Sequence, residues 1–209
     1  MNASNIKDMF LEVSTKIQTQ EEMLCKLDSY VGDGDHGVTV ARGFKQVHEV
    51  LEANTYDCPA DVFKAIGDTL TDAMGGAIGP IIGSLFLAGV KKTADKTDFD
   101  ATDFVFMFEK GLKRIQLIGE AKLGDRTMVD ALSPAVDAMK AAVDNGGDLK
   151  ACFMAGKEAA IAGAESTKEM VATKGRAKFL QEKSLGYVDA GATTVSLIIT
   201  YIYDFIKGE

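Results

Sequence analysis

Three aspartates, Asp28, Asp33 and Asp35, fall within eight consecutive residues, interleaved with Gly32, Gly34 and Gly37, which let the backbone bend sharply around them. Carboxylates gathered in one tight turn repel one another unless a cation offsets their charge. An all-oxygen donor set of this density suits a hard divalent ion, and magnesium commonly completes its octahedron with water and substrate phosphate oxygens. The turn therefore reads as a magnesium-phosphate site. A solvated acidic turn that caps the next helix is an equal alternative on these residues alone. An EF-hand does not fit, because counting from Asp28 or Asp33 the position of the bidentate glutamate holds Thr39 or Phe44. The glycines also spell GxGxxG, but no strand precedes them and no βαβ unit follows, so a dinucleotide-binding fold is excluded.

His36 follows the aspartates and opens a helix running from Val38 to Leu51. At such a start the free N–H groups and the helix dipole favour an anion, so Gly37, Val38 and Thr39 can meet a phosphate through the main chain, with His36 as a further donor. Gly75-Gly76-Ala77-Ile78-Gly79 precedes another helix and offers a second close approach of backbone to phosphate, although tight helix packing explains the same small residues at least as well. Arg176, between Gly175 and Ala177, is a planar donor suited to phosphate, and Met128 is a polarizable surface for a nucleobase. His48 reads as a surface residue within a helix. Gly156-Lys157 is followed by Glu158 inside an alanine-rich helix, so there is no P-loop. Neither a Ser-His-Asp set nor a cysteine beside a histidine is present to support nucleophilic hydrolysis.

The elements that must hold these residues are helical. Stripes at helical spacing run through Ile6 to Ile17, Val40 to Leu51, Val62 to Met74, Ile81 to Phe86, Phe104 to Ile115, Met128 to Met139, the alanine-rich Leu149 to Ala164, and Val195 to Ile206. Eight helices and no strand are expected, forming an all-α barrel or bundle of about eight antiparallel amphipathic helices with the site at one end. No repeat or linker divides residues 1–209, so one domain is expected. Ala73 to Val90 carries no charge, but its glycines and Pro80 predict a buried loop and core helix, not a membrane span. A net charge of -8 without a segregated basic patch argues against nucleic acid. The start lacks a signal or transit pattern, and Cys25, Cys58 and Cys152 are odd in number and far apart, which predicts reduced thiols and a cytoplasmic setting.

Taken together, the loops resemble those of the nucleotide-binding L subunit of the two-component dihydroxyacetone kinases. The resemblance covers nearly the whole chain. It rests on four motifs in order: Gly32-Asp33-Gly34-Asp35-His36-Gly37, Gly75-Gly76-Ala77-Ile78-Gly79, Gly124-Asp125-Arg126-Thr127-Met128, and Gly175-Arg176-Ala177 continuing to Asp189-Ala190-Gly191-Ala192. It implies a barrel of eight antiparallel helices, in agreement with the stripes. It also implies that Asp28, Asp33 and Asp35 hold two magnesium ions that in turn hold the phosphates of ADP or ATP. The implied nucleotide contacts are His36, Gly37, Val38, Thr39, Ala77, Ile78, Gly119, Met128, Arg176, Asp189, Ala190 and Gly191.

In that family a K subunit carries dihydroxyacetone covalently on a histidine, and the L subunit delivers the γ-phosphoryl group. The resemblance thus implies a phosphotransferase subunit active only with a K-type partner and holding no catalytic residue of its own. Its ADP either stays bound and is rephosphorylated by a phosphohistidine protein of the phosphotransferase system, or exchanges for ATP. The alternatives are a nucleotide-sensing module that docks on a transcription regulator and an ATP-exchanging subunit for another ketose, and a homodimer is left open. Two positions depart from the family pattern: Ile78 stands where serine is usual, removing a hydroxyl from the phosphate loop, and Ala190 stands where proline is usual, loosening the loop that carries it.

Overall fold

All eight apolar stripes form helices in the computed structural model, which describes residues 1–208. In chain order the helices are α1 (Ala3–Gln18), α2 (Glu21–Ser29), α3 (His36–Ala53), α4 (Pro59–Ala73), α5 (Ile78–Leu87), α6 (Val90–Thr93), α7 (Ala101–Gly119), α8 (Val129–Asp144), α9 (Leu149–Ser166) and α10 (Ala190–Gly208). Ten α-helices among the described residues are two more than the stripes predict, and short 3-10 turns at Thr167–Glu169 and Ala177–Ser184 lie between α9 and α10. The extra pair is α2, which buries only Leu24, and α6, a single turn that buries only Thr93. Neither has enough buried apolar positions to write a periodic pattern.

The remaining eight close a ring: α1, α3, α4, α5, α7, α8, α9, α10 and back to α1, each packed on the next. Their directions alternate. Helices α3, α5, α8 and α10 start at the end of the barrel where α4, α7 and α9 finish, while the amino group of Met1 donates to the Phe99 carbonyl at 2.6 Å and ties the start of α1 to the opposite end, beside the start of α7. Inside the ring, Phe10, Phe63, Phe86, Phe99, Phe104 and Phe153 are buried, with edge-to-face pairs at centroid distances of 5.3 to 6.0 Å, the geometry that ring quadrupoles favour. Helices α4 and α5 approach so closely that a β-carbon on Gly67 would lie 2.8 Å from the Gly83 carbonyl oxygen. The uncharged Ala73–Val90 stretch resolves into a loop and the ten-residue α5, and among the described residues no helix is long and apolar enough to cross a membrane.

The two ends of the barrel are capped differently. At the far end α1, α7 and α9 begin with side-chain caps from Asn2, Asp100 and Asp148, and α4 begins with Pro59. These satisfy or remove the orphan N–H groups of the first turn. At the other end Asp189 caps α10 and Val129 N of α8 donates to the Thr127 hydroxyl, whereas α3 and α5 begin with no side-chain cap. Two helix starts with free donors thus face the same side of the molecule.

Candidate functional site

The acidic turn follows from how α2 ends. The main-chain oxygen of Asp28 accepts from Val31 N at 3.0 Å and Gly32 N at 2.6 Å, which stops the helix. Its carboxylate Oδ2 then accepts from Gly34 N at 2.8 Å, where Gly34 sits at a φ of 77°, a left-handed conformation that suits glycine. The chain therefore wraps around the Asp28 carboxylate, and a β-carbon on Gly32 would strike it. This wrapping brings one oxygen of each of Asp28, Asp33 and Asp35 within 4.8 Å of the others, Asp28 half-buried and the other two exposed. An all-oxygen set with its outer face open to solvent fits magnesium, which keeps positions for water and phosphate.

Beside the turn lies a cleft of about 980 Å³, at the upper end of small-molecule sites. Among the residues singled out in the sequence, Asp28, Asp33, Asp35, His36, Val38, Thr39, Ala77, Ile78, Gly119, Met128, Arg176, Asp189, Ala190 and Gly191 all line it. Gly37 does not. It is buried against α2, where a β-carbon would lie 2.7 Å from Cys25 Sγ and collide with the Glu21 carbonyl, so close packing explains that glycine. The second glycine motif divides the same way: Gly79 packs against the carbonyls of Thr71 and Met74, whereas Gly76, at a φ of 69° with no neighbour near its would-be β-carbon, is open to the cleft.

The walls differ in character. The α2–α3 side carries the carboxylates, α5 and α7 contribute Ile78, Ile81, Ile115 and Ile118, and the loop before α8 adds Met128. Arg42, Lys174, Arg176 and Lys178 also line the cleft, a gathering of cations on a chain of net charge -8. Arg176 pairs with Asp33 across the mouth, and Tyr30 stacks on Tyr187 at 4.7 Å, so the segment from Lys174 to Tyr187 is fastened over the acidic turn. His36 Nε2 lies 2.8 Å from Thr194 Oγ1, and that hydroxyl donates to the Ala190 carbonyl at 3.0 Å. Burial holds the His36 imidazole below its ordinary pKa, against the opposing effects of Asp28 and a hydrogen bond to the Ala190 main chain.

The DAK2 domain matches residues 30–204. The chain belongs to the DAK2 domain family. It is 35% identical over 183 residues to the ADP-binding subunit DhaL of PEP-dependent dihydroxyacetone kinase 1 of Listeria innocua, covering 88% of this chain and 86% of that one. It is 32% identical to the ADP-binding subunit DhaL of the PTS-dependent dihydroxyacetone kinase of Lactococcus lactis, with 91% of each chain covered. The crystal structure of the dihydroxyacetone kinase from C. freundii in complex with AMP-PNP and Mg2+ superposes with a TM-score of 0.75 at 29% identity, over 98% of this chain and 34% of that longer one.

Within this DAK2 domain, several residues of the site escape a reading of the sequence. Thr194 is a buried hydroxyl in the apolar stripe of α10, and its only written signal is a polar residue on the inward face one turn into the helix. Arg42 donates from Nε to the Ala73 carbonyl at 3.1 Å and so fixes the start of the second glycine loop, but it reads as one more charge on an amphipathic helix. The loop from Lys122 to Asp130 is tied by carboxylates. Asp125 accepts from Lys122 N at 2.9 Å and Thr173 Oγ1 at 2.8 Å, and Asp130 accepts from Thr127 N at 2.7 Å and Gly124 N at 2.5 Å. Burial works to raise the Asp125 pKa, but these hydrogen bonds with Lys122 and Lys174 nearby outweigh it and keep the carboxylate charged.

Proposed function

We propose that this DAK2 domain is the nucleotide-carrying kinase subunit of a two-component dihydroxyacetone or related ketose kinase, acting as one domain over residues 1–209. The observation that carries the reading is the meeting, across one nucleotide-sized cleft, of three converging carboxylates with two uncapped helix starts. Helix starts and cations attract phosphates; carboxylates repel them unless a divalent ion lies between. Asp28, Asp33 and Asp35 would hold magnesium, two ions in our reading, and bound magnesium supplies charge neutralisation to the phosphate chain. The main chain at Val38, Thr39, Ala77 and Ile78 orients the phosphates, and the Ile81, Ile115, Ile118 and Met128 surface excludes water around the base. Arg176, on the segment that crosses the mouth, donates to phosphate once freed from Asp33. These groups position and neutralise, which is most of what phosphoryl transfer requires.

No residue of the cleft is needed to activate the acceptor, which in this reading is a ketose held covalently on a histidine of a K-type partner. Exposed Val38 and Ile118 line the cleft, and exposed Tyr30 and Phe179 line a shallow groove beside it with Tyr187 stacked on Tyr30, an apolar surface that supports a protein docked there. In this reading, which takes the setting as cytoplasmic, ADP is resident and is recharged by a phosphohistidine protein of a phosphotransferase system; relatives named as PEP-dependent and PTS-dependent ADP-binding subunits support it. Native mass spectrometry of the purified protein, followed by ADP and ATP titration with and without magnesium, tests this. Co-purified ADP is expected, and the same spectra read out whether the chain is a homodimer. An empty site that takes ATP reversibly would replace recharging by exchange, and no binding of either nucleotide would overturn the kinase reading.

A further inference from the structure

Arg126 is among the largest fully buried side chains of the protein, its guanidinium without any exposed surface. Its backbone is left-handed at a φ of 61°, a conformation that side-chain-bearing residues adopt at a cost of about 1–2 kcal/mol. The carboxylates of Asp125 and Asp130 pin the main chain on either side of it and impose that conformation, which turns the side chain inward. There Nη2 donates to the Tyr187 carbonyl at 2.7 Å, and Nη1 lies 3.8 Å from Asp189 Oδ1. Nε and Nη1 have no hydrogen-bond partner. A buried cation with one full hydrogen bond and a distant counter-ion is a poor device for stability, since an apolar side chain of the same volume would avoid its desolvation.

What the guanidinium touches is more informative. Asp189 is the cap of α10: its Oδ2 accepts from Ala192 N at 2.8 Å, and its own N–H donates to Thr167 Oγ1 at 2.8 Å. The next two residues, Ala190 and Gly191, line the cleft, and Thr194 one turn later holds His36 on the opposite wall. We infer that Arg126 is a positioning residue for nucleotide binding, holding the Tyr187–Asp189 segment so that the start of α10 and, through Thr194, His36 keep the geometry that a nucleotide meets. The functional half of this inference rests on the nucleotide reading above; the structural half does not.

The test uses Arg126→Met, which keeps the volume and removes the donors, with Arg126→Lys as the conservative variant. In the ligand-free protein, hydrogen exchange at residues 187–194 should accelerate in Arg126→Met while amides of α4, α5 and α7 stay as protected as in the wild type. Magnesium-dependent ADP affinity should fall roughly 10- to 100-fold, the scale of one hydrogen bond from a charged group, and Arg126→Lys should recover part of it. Because Arg126 and Asp189 hold the same segment, the double variant with Asp189→Asn should lose less affinity than the sum of the two single losses. Protection unchanged at 187–194, ADP affinity within twofold of wild type, or strictly additive losses would each overturn the inference. Uniform loss of protection through the barrel would assign Arg126 to stability alone, and if Arg126→Met does not fold, Arg126→Lys is judged by the same criteria. Wild-type protein that binds no ADP refutes the kinase reading, and local exchange still decides the clamp.

Discussion

Neutralising Asp35 should make the ligand-free protein more stable while removing its response to magnesium and ADP. With one oxygen of each carboxylate within 4.8 Å of the others, a pair of charges repels by about 0.9 kcal/mol even at the dielectric of water. Asp35 takes part in two such pairs, of which the one with Asp33 is partly offset by Arg176. Salt with a Debye length of about 8 Å roughly halves the remainder, leaving about 0.5–1 kcal/mol. The Asp35 side chain caps nothing at the start of α3, so Asn in its place forfeits no hydrogen bond, only the attraction of an exposed, salt-screened charge to the helix dipole, about 0.3 kcal/mol. Asp33 is the poorer choice, because its loss would strand Arg176. For a chain of this size the net gain amounts to about 0.5–3 °C in melting temperature, measured in EDTA. Wild-type protein at a hundredfold excess of magnesium-ADP over Kd should gain about 2.7 kcal/mol, roughly 5–10 °C, and Asp35→Asn almost none. The two proteins therefore exchange rank between EDTA and ligand. A variant that melts below wild type in EDTA, or that keeps the full ligand shift, would refute the view that these carboxylates are held together against their own repulsion for a cation.

Further outcomes follow from neighbouring residues. Ala190 is the first residue of α10, where proline is tolerated because that N–H has no helical partner, so Ala190→Pro should raise stability by about 0.4–1 kcal/mol in thermal melts and slow ADP release in a chase experiment. Ile78→Ser restores a hydroxyl at the start of α5 and should tighten ADP binding by roughly 10- to 100-fold in calorimetry, with a lower melting temperature because Ile78 packs on the core. Gly37→Ala should destabilise by about 1–3 kcal/mol in urea titration, since its β-carbon meets α2 backbone and Cys25. Burial raises the Asp189 pKa to about 6 from 3.8, outweighing the Ala192 N–H and Arg126 that lower it, with Asp130 and Asp28 adding to the rise. The folded state therefore holds that proton more tightly than the unfolded chain, and its stability is lost as pH rises through 6 and is fully regained only below 3.8. Asp189→Asn should remove this pH dependence in urea titrations, although it leaves buried Arg126 without its counter-ion and so brings no net gain at neutral pH.

The barrel was legible because its eight ring helices each bury a continuous stripe, and that stripe is what hydrophobic periodicity records. Helix α2 was not, since one buried leucine makes no period, although it carries Asp28 and forms the surface that Gly37 packs against. The acidic turn was legible for the opposite reason: charges and glycines concentrated where no stripe exists. Composition could not distinguish the two uses of glycine. Gly37 and Gly79 serve contact between backbones, while Gly76 serves a left-handed turn facing the cleft, and only the surroundings of each β-carbon position separate them.

Arg126 shows where reading of types and spacing stops. Within Gly124-Asp125-Arg126-Thr127-Met128 neither its type nor its spacing sets it apart, and Met128 is the residue whose chemistry suggests a ligand. The fold buries it, because the carboxylates of Asp125 and Asp130 accept from main-chain N–H groups on either side and turn the arginine into the floor of the cleft. Its partners, Tyr187 and Asp189, lie about sixty residues away in the chain, a separation no local pattern encodes. The same holds for His36 and Thr194, 158 residues apart. Local sequence thus specifies the acidic turn and the glycine loops, which touch solvent, whereas the residues that set the distance between the two walls are chosen by the closure of the ring. If that division is right, substitutions at Arg126 and Thr194 should alter nucleotide affinity without altering magnesium binding to the isolated aspartate turn, and those at Asp28, Asp33 and Asp35 should abolish both.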